Sequence, residues 1–318
     1  MEFLLMNEEL AYYELKYQMN KKLEQLVISK GYQLIEPSFF EDYDDFIQRN
    51  KRIKKSSMVK LIDHDGTIFV LRPDITTSII KHVIPKYESG ELKLFYLSTI
   101  FSRGKTGRIE EKKQFGIEYL GCPNPSSDLE VITMAIELLK SFDMDFVLEI
   151  STTKFLSKLI SNLMITKEEE NKLKNILYTK NQYELDLWLD KVKLKNGNRA
   201  LLKDIFKLQG NPKDLDRILK NYHLDEEMTQ SMNELKSLFK TLENQRLSEY
   251  AQIDLTVLSA YDYYDGFVFK GYVQSVSEPI LSGGRYDPLT LEHGKKVPAI
   301  GFTLNSNDLL KEVIRREK

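Results

Sequence analysis

The chain has 318 residues, 42% hydrophobic and 30% charged, which is typical of a soluble globular protein with a substantial core. Its 46 Lys and Arg against 48 Asp and Glu leave a net charge of -2, so bulk charge gives no reason to expect a nucleic-acid partner. The single cysteine cannot form an internal disulfide, and with four scattered histidines it does not give the spacing of a zinc site. The apolar opening of the chain is too short to span a membrane. We therefore expect a cytoplasmic protein without metal or cofactor.

The amino-terminal pattern predicts a helix followed by an extended segment. Apolar residues recur every three or four positions from Leu10 to Lys30, and Gly31 suits the left-handed position that ends a helix. The segment up to Pro37 favours extended backbone. Two β-rich runs, 58–62 and 67–71, surround an Asp-Gly pair and predict a hairpin.

A second helix and several strands follow. Asp74 or Thr76 is placed to cap a helix through Ile80. Ser127 and Glu130 have the spacing of a capping box at the start of another helix. The β-rich runs 94–98, 114–120 and 146–150 predict strands.

The pattern becomes helical between residues 151 and 250 and then returns to strands. Apolar stripes at helical spacing dominate this stretch, and Thr166 with Glu169 forms a further capping box. Strands are predicted at 253–258, 267–273 and 300–304. We therefore expect an α+β fold in which residues 1–150 and 251–318 form one core, interrupted by a helical insertion at 151–250.

Two carboxyl-terminal segments carry a family resemblance. The run Gly283-Gly284-Arg285-Tyr286-Asp287, predicted as a turn, precedes Pro298-Ala299-Ile300-Gly301-Phe302. This pairing resembles the end of the catalytic core of histidyl-tRNA synthetase. The resemblance covers most of the chain, and it implies a class II aminoacyl-tRNA synthetase-like antiparallel sheet flanked by helices, with a dimer built through the segment around Pro37.

The resemblance also implies a histidine-binding pocket. In the family, residues matching Asp74, Thr76 and Gln114 receive the α-amine, the residue matching Glu118 serves the imidazole, and tyrosines line the ring pocket. The candidate histidine ligands are Asp74, Thr76, Gln114, Glu118, Tyr263, Tyr264 and Tyr286.

The residue types suit such a ligand, although each has a second interpretation. A carboxylate and a hydroxyl can hold an ammonium group, but Asp74 and Thr76 can equally cap a helix. Strand alternation puts Gln114, Gly116 and Glu118 on one face, which is either a ligand surface or an exposed polar face. The tyrosines are either a pocket wall or part of the core.

Several positions depart from the enzyme's pattern. Ser259 replaces an arginine of the histidine-specific signature, Phe101-Ser102-Arg103-Gly104 lacks the ATP-binding order of the second class II motif, and Asp308 stands where the family has a phosphate-binding arginine. Adenylyl transfer depends on positioned cations, so these changes point away from catalysis. About ten residues follow Asp308, so we expect no anticodon-binding domain.

A chain with a synthetase-like core that lacks the ATP-binding residues resembles the regulatory subunits of ATP phosphoribosyltransferase, the first enzyme of histidine biosynthesis. That resemblance implies a non-catalytic protein that activates a short-form catalytic subunit and mediates histidine feedback. It further implies a homodimer within a hetero-octamer. From the opening segment and the net charge we expect no membrane partner, and nucleic acid is not favoured as a partner. The alternative is a histidine-activating or tRNA-binding synthetase paralogue that lacks the anticodon-binding domain.

Overall fold

The computed structural model describes residues 6–50, 53–104, 106–123, 125–194, 196–210, 212, 214–257 and 264–317. The helices are α1 Met6–Ser29, α2 Tyr43–Arg49, α3 Ile75–Val83, α4 Ser126–Lys140, α5 Thr153–Asn162, α6 Lys167–Tyr178, α7 Gln182–Lys191, α8 Asn196–Asp204, α9 Asp214–Asn221, α10 Glu226–Asn244, α11 Asp287–Glu292 and α12 Ser306–Glu317. The strands are β1 Gln33–Leu34, β2 Phe40–Asp42, β3 Val59–Ile62, β4 Ile68–Leu71, β5 Leu92–Arg103, β6 Ile109–Leu120, β7 Phe146–Thr152, β8 Ala251–Ile253, β9 Phe267–Val273, β10 Leu281–Arg285 and β11 Ala299–Asn305.

The chain divides into two compact units. The first is built from the chain up to Met144, from Ser275–Leu281 and from the chain after Tyr286. The second comprises Asp145–Gln274 and Ser282–Tyr286. Strands β7, β8 and β9 thus group with the helices of the middle region.

The first unit contains a mostly antiparallel sheet in the order β1-β5-β6-β11. Strands β5 and β6 form a long hairpin, β11 pairs antiparallel with β6, and β1 pairs parallel with β5. Helices α1, α4 and α12 pack on one face, where Phe115 and Ile117 are fully buried. Helix α3 packs beside β5 through Ile75, Ile79 and Tyr96. A separate three-stranded sheet, β2-β4-β3, contains the predicted hairpin.

The second unit places strands in the order β10-β9-β7-β8 and contains helices α5 to α10. Strand β7 is antiparallel to β9 and parallel to β8. The apolar stripes predicted for α5 and α10 are buried and face each other, so their 3.6-residue period does mark a helical core. The buried side chains are Phe155, Leu156, Leu159, Ile160, Met228, Met232, Leu235, Leu238, Phe239 and Leu242.

Some local predictions are confirmed and others are wrong. Thr166 caps α6 by accepting a hydrogen bond from the Glu169 amide, as the capping box predicted. Ser127 does not cap α4, because the helix begins at Ser126 and the Ser127 hydroxyl donates instead to the Cys122 carbonyl. The predicted strand at 253–258 ends at Ile253, because the Asp254 carboxylate accepts from the Thr256 amide and turns the chain.

Candidate functional site

Strand register places a three-by-three array of side chains on one face of the first unit's sheet. Residues directly opposite each other on paired strands point to the same face. Read across β5, β6 and β11, the three rows are Ser98–Gln114–Asn305, Tyr96–Gly116–Thr303 and Leu94–Glu118–Gly301. The predicted ligand residues Gln114 and Glu118 therefore lie on one face, two rows apart, with Gly116 between them.

Glu118 is the buried carboxylate of this array. It is 1% exposed, and its Oε1 accepts a 2.7 Å hydrogen bond from the Thr76 hydroxyl. A Cβ on Gly301 would overlap Glu118 Oε2 and the carbonyl of Ile117, so this row tolerates only glycine opposite Glu118. Helix α3 thus places Thr76 in contact with Glu118, and both are predicted histidine ligands.

Asp74 has a structural role at the start of α3. Its carboxylate accepts from the backbone amide of Thr77 at 3.2 Å and from the Thr77 hydroxyl. Of the two residues that the sequence offered as helix caps, Asp74 is the cap and Thr76 is not. Capping uses one of the two carboxylate oxygens that the resemblance assigns to an ammonium group.

The middle row contains two residues that sequence reasoning missed. The Tyr96 hydroxyl lies 2.7 Å from Thr303 Oγ1, and the Tyr96 side chain is fully buried. The phenol reaches Thr303 across Gly116, where a Cβ would overlap the Tyr96 hydroxyl and stand 2.7 Å from the Phe302 carbonyl oxygen. The room above Gly116 is therefore filled by Tyr96. Gly116 was the sequence signal for this contact, since a glycine inside a strand often marks a position where a neighbouring group approaches the backbone closely.

Burial raises the pKa of Tyr96 well above its ordinary value, and the charge of nearby Glu118 raises it further. Hydrogen bonding from Thr303 and from Thr76 acts in the opposite direction. The phenol is therefore neutral, and it can donate one hydrogen bond while accepting others. The hydroxyl groups of Tyr96 and Thr303 pair in the row beside Glu118, and the Thr76 hydroxyl bonds the Glu118 carboxylate itself.

The first row, Ser98–Gln114–Asn305, borders the amino terminus of α12. Asn305 Oδ1 accepts from the amides of Asn307 at 3.1 Å and Asp308 at 3.3 Å, and Asn305 Nδ2 donates to the Asp308 carboxylate. Asp308 also pairs with Lys311 at 2.7 Å. A helix amino terminus attracts anions through free amides, but here side chains occupy them and add a negative charge. This arrangement disfavours a phosphate at that end.

The predicted tyrosines lie in the second unit or beyond the described residues. The Tyr264 ring covers Gly284, where a Cβ would stand 2.6 Å from the ring, and Tyr286 is 2% exposed. The Asp265 amide donates to the Arg285 carbonyl at 3.0 Å, so the two signature segments meet. Tyr263 and Ser259 lie outside the described residues.

The glycine pair and the second-motif arginine are placed differently from the sequence prediction. Gly283 and Gly284 lie within strand β10 rather than in a turn. Arg103 ends β5, is exposed, and donates to the Gly107 carbonyl at 3.5 Å. Neither arrangement builds a phosphate cradle.

The described residues were searched for metal sites and membrane-spanning helices. Among these residues, no cluster of three or more His, Cys, Asp or Glu side chains has the geometry to hold a metal ion. Within the same ranges, every helix is too short or too polar to cross a membrane.

Comparison with known proteins identifies close relatives. The histidyl-tRNA synthetase family model matches residues 8–309. The ATP phosphoribosyltransferase regulatory subunit of Clostridium novyi is 37% identical over 306 residues, which cover 93% of this chain and 72% of that protein. A crystal structure of an ATP phosphoribosyltransferase regulatory subunit/histidyl-tRNA synthetase from Bacillus halodurans is 26% identical, with a TM-score of 0.87 over 98% of this chain and 82% of the other.

A more distant structure shares the fold alone. A chain of an ATP phosphoribosyl transferase complex from Thermotoga maritima is 20% identical, with a TM-score of 0.69 over 96% of this chain and 98% of that one. Together these likenesses confirm the predicted class II aminoacyl-tRNA synthetase-like fold, a sheet flanked by helices.

Proposed function

Since this chain belongs to the histidyl-tRNA synthetase family, in its branch of ATP phosphoribosyltransferase regulatory subunits, we propose that it binds and activates a short-form catalytic subunit and makes it sensitive to histidine. The protein is a non-catalytic subunit of that enzyme in histidine biosynthesis. The observation that carries the assignment is the 37% identity to the Clostridium novyi regulatory subunit, which extends over 93% of the chain.

The side chains at α12 support a regulatory role. Asp308 carries a carboxylate where a nucleotide-binding protein of this fold needs a cation, and it is held by Asn305 and Lys311. Phosphoryl and adenylyl transfer depend on positive charge placed at the phosphates. A histidine-activating enzyme is therefore disfavoured, and ATP–pyrophosphate exchange by the purified chain is expected to be absent.

The proposed effector site for histidine starts from the Thr76–Glu118 pair. A buried carboxylate with a hydroxyl at 2.7 Å offers hydrogen-bond acceptors to an imidazole or ammonium group. Gln114 lies half-buried on the same sheet face. By family resemblance, Asp74 belongs to the same candidate set, and Tyr263, Tyr264 and Tyr286 stay predictions from the sequence.

We further propose a homodimer within a hetero-octamer, through the region of α1 and Pro37. Helix α1 presents Met6, Leu10, Tyr13 and Tyr17 at intervals of three and four residues, and each is more than half exposed. An apolar stripe of this kind is a contact surface for another chain. The buried free thiol of Cys122 suits a cytoplasmic location.

Complex formation with a catalytic subunit tests the proposal. The full chain and a short-form ATP phosphoribosyltransferase catalytic subunit should co-elute at a mass above that of either alone. Isothermal titration of histidine into the complex should then show saturable binding. Separate elution at micromolar concentrations together with pyrophosphate exchange would instead support a histidine-activating paralogue.

A further inference from the structure

Arg72 is a fully buried arginine that joins two segments of the first unit. Its Nη1 donates to the carbonyls of Pro37 at 2.6 Å and Ser38 at 3.0 Å. Its Nη2 donates to the Ser98 hydroxyl and to the Thr99 carbonyl, the latter at 2.9 Å. All four acceptors are uncharged, so the buried positive charge depends on these hydrogen bonds for compensation. The guanidinium therefore holds the extended segment after β1 against β5.

The guanidinium lies where the pairing between β1 and β5 ends. Strand β1 is parallel to β5, and the Ile35 amide donates to the Phe95 carbonyl at 2.9 Å. The next donor in a parallel ladder is the amide of residue 37, but Pro37 has no N–H. The planar fork of Arg72 supplies N–H groups to both segments at this point, which the single ammonium group of a lysine cannot do.

Arg72 also fixes the start of helix α3. The Arg72 amide donates to the Phe39 carbonyl at 2.8 Å, and the Phe101 amide donates to the Arg72 carbonyl at 3.0 Å. Pro73 alone separates Arg72 from Asp74, the cap of α3. Because β5 is paired with β6 over its whole length, this attachment to β5 sets where the first turn of α3 lies relative to β6.

We propose that Arg72 is a positioning residue for histidine recognition: by fixing the first turn of α3, it couples segment 37–39 to the contact between Thr76 and Glu118. The inference rests on the proposed function, since it assumes that histidine binds at Glu118. Arg72 acts through α3 and makes no contact with the ligand. Segment 37–39 belongs to the region proposed for the homodimer contact, so histidine affinity depends on how that region is held.

A double-mutant cycle tests whether Arg72 acts through Thr76. Histidine affinity is measured by calorimetry on the full chain in complex with the catalytic subunit, for wild type, Arg72→Lys, Thr76→Val and the double variant. Lysine keeps the charge but cannot hold both segments, so Arg72→Lys should weaken binding about tenfold. In the Thr76→Val background the same change should weaken binding about twofold or less, because the contact that Arg72 positions is already lost.

A milder variant tests the coupling from the side of segment 37–39. The Phe39 ring lies 4.7 Å from the guanidinium carbon of Arg72 and is half exposed. Phe39→Leu removes this cation–π contact and should weaken histidine binding about two- to fivefold. Phe40→Leu is the matched control, since this neighbouring ring is exposed to a similar extent and has no ring or cation contact among the described residues. It should leave histidine affinity unchanged.

Thermal unfolding separates positioning from stability. Arg72→Lys should lower the melting temperature equally in both backgrounds, since the same hydrogen bonds are lost, whereas its effect on affinity should differ. If Arg72→Lys does not fold, the comparison of Phe39→Leu with Phe40→Leu decides alone. Equal affinity losses in the two backgrounds, or equal affinity in the two phenylalanine variants, would overturn the inference and leave the histidine site standing. No histidine binding by the wild-type complex would overturn the inference and the proposed site together.

Discussion

Thr76 and Glu118 are 42 residues apart in the chain, yet the Thr76 hydroxyl donates a 2.7 Å hydrogen bond to the Glu118 carboxylate in a buried position. The contact joins the first turn of α3 to β6, an inner strand of the first unit's sheet. It brings together two residues that the family resemblance assigns to histidine recognition.

Glu118→Gln should weaken histidine binding by about ten- to a hundredfold. The amide is isosteric and can still accept from Thr76, so the fold should persist, but a hydrogen bond to a charged acceptor is lost. Glu111→Gln, an exposed position on the same strand, is the control. Calorimetric titration of histidine is the measurement, and equal affinity in the two variants would remove Glu118 from the site.

Asp74 can be tested for two separate roles. Asp74→Ala removes the cap of α3 and should lower the free energy of unfolding by about 1 kcal/mol. Asp74→Asn keeps a capping oxygen and should retain stability while weakening histidine binding, because the carboxylate charge is gone. Denaturant unfolding and histidine titration on both variants distinguish the roles. Wild-type affinity in Asp74→Asn would mean that Asp74 is only a helix cap.

Gly116→Ala should destabilise the first unit by about 1–3 kcal/mol, since the added methyl group overlaps the Tyr96 hydroxyl and stands 2.7 Å from the Phe302 carbonyl oxygen. The same substitution at Gly197 is the control. A Cβ there meets only His223 Cβ at 3.8 Å, and alanine favours helix α8. Urea unfolding should show a loss for Gly116→Ala and no loss for Gly197→Ala. Equal stability would contradict the close approach of Tyr96.

An acidic pair in the second unit, half-buried Glu149 beside buried Asp254, should give a pH-dependent stability. Burial raises the pKa of Glu149, and the nearby charge of Asp254 raises it further, against the opposing effect of Lys180. Because the folded-state pKa lies above the unfolded one, Glu149 favours the folded state at low pH. That contribution is lost as the pH rises through the folded-state value.

Glu149→Gln should therefore stabilise the protein at neutral pH relative to wild type. The amide removes the repulsion with Asp254 and keeps an oxygen for Lys180 and Gln252. The difference should shrink as the pH falls and wild-type Glu149 becomes protonated. Thermal unfolding at a series of pH values measures it, and a difference that grows toward low pH would show the opposite shift.

Local sequence signals predicted the parts of this fold that depend on neighbouring residues. The Thr166 cap, the Asp-Gly hairpin and the apolar stripes of α5 and α10 follow from short-range spacing. The predicted capping box of Ser127 is wrong because α4 begins at Ser126, and the Ser127 hydroxyl donates to the Cys122 carbonyl instead. Such boundary shifts are decided by tertiary packing, which a local pattern does not contain.

The candidate site was predicted only where the family resemblance named the residue. Glu118 and Thr76 were predicted as histidine ligands in that way, whereas their mutual contact depends on where α3 packs against the sheet. Tyr96 and Thr303 were missed because they come next to Gly116 only through the register of three strands. Strand register is a long-range property, so residue spacing within one strand cannot supply it.

The rate of a short-form ATP phosphoribosyltransferase catalytic subunit, with and without this protein, tests the central claim most directly. Histidine is then titrated into the complex. We expect this protein to raise the rate and histidine to reverse the increase, with Glu118→Gln needing more histidine for the same inhibition. An unchanged rate at saturating concentrations of this protein, with no complex formed, would contradict the regulatory role.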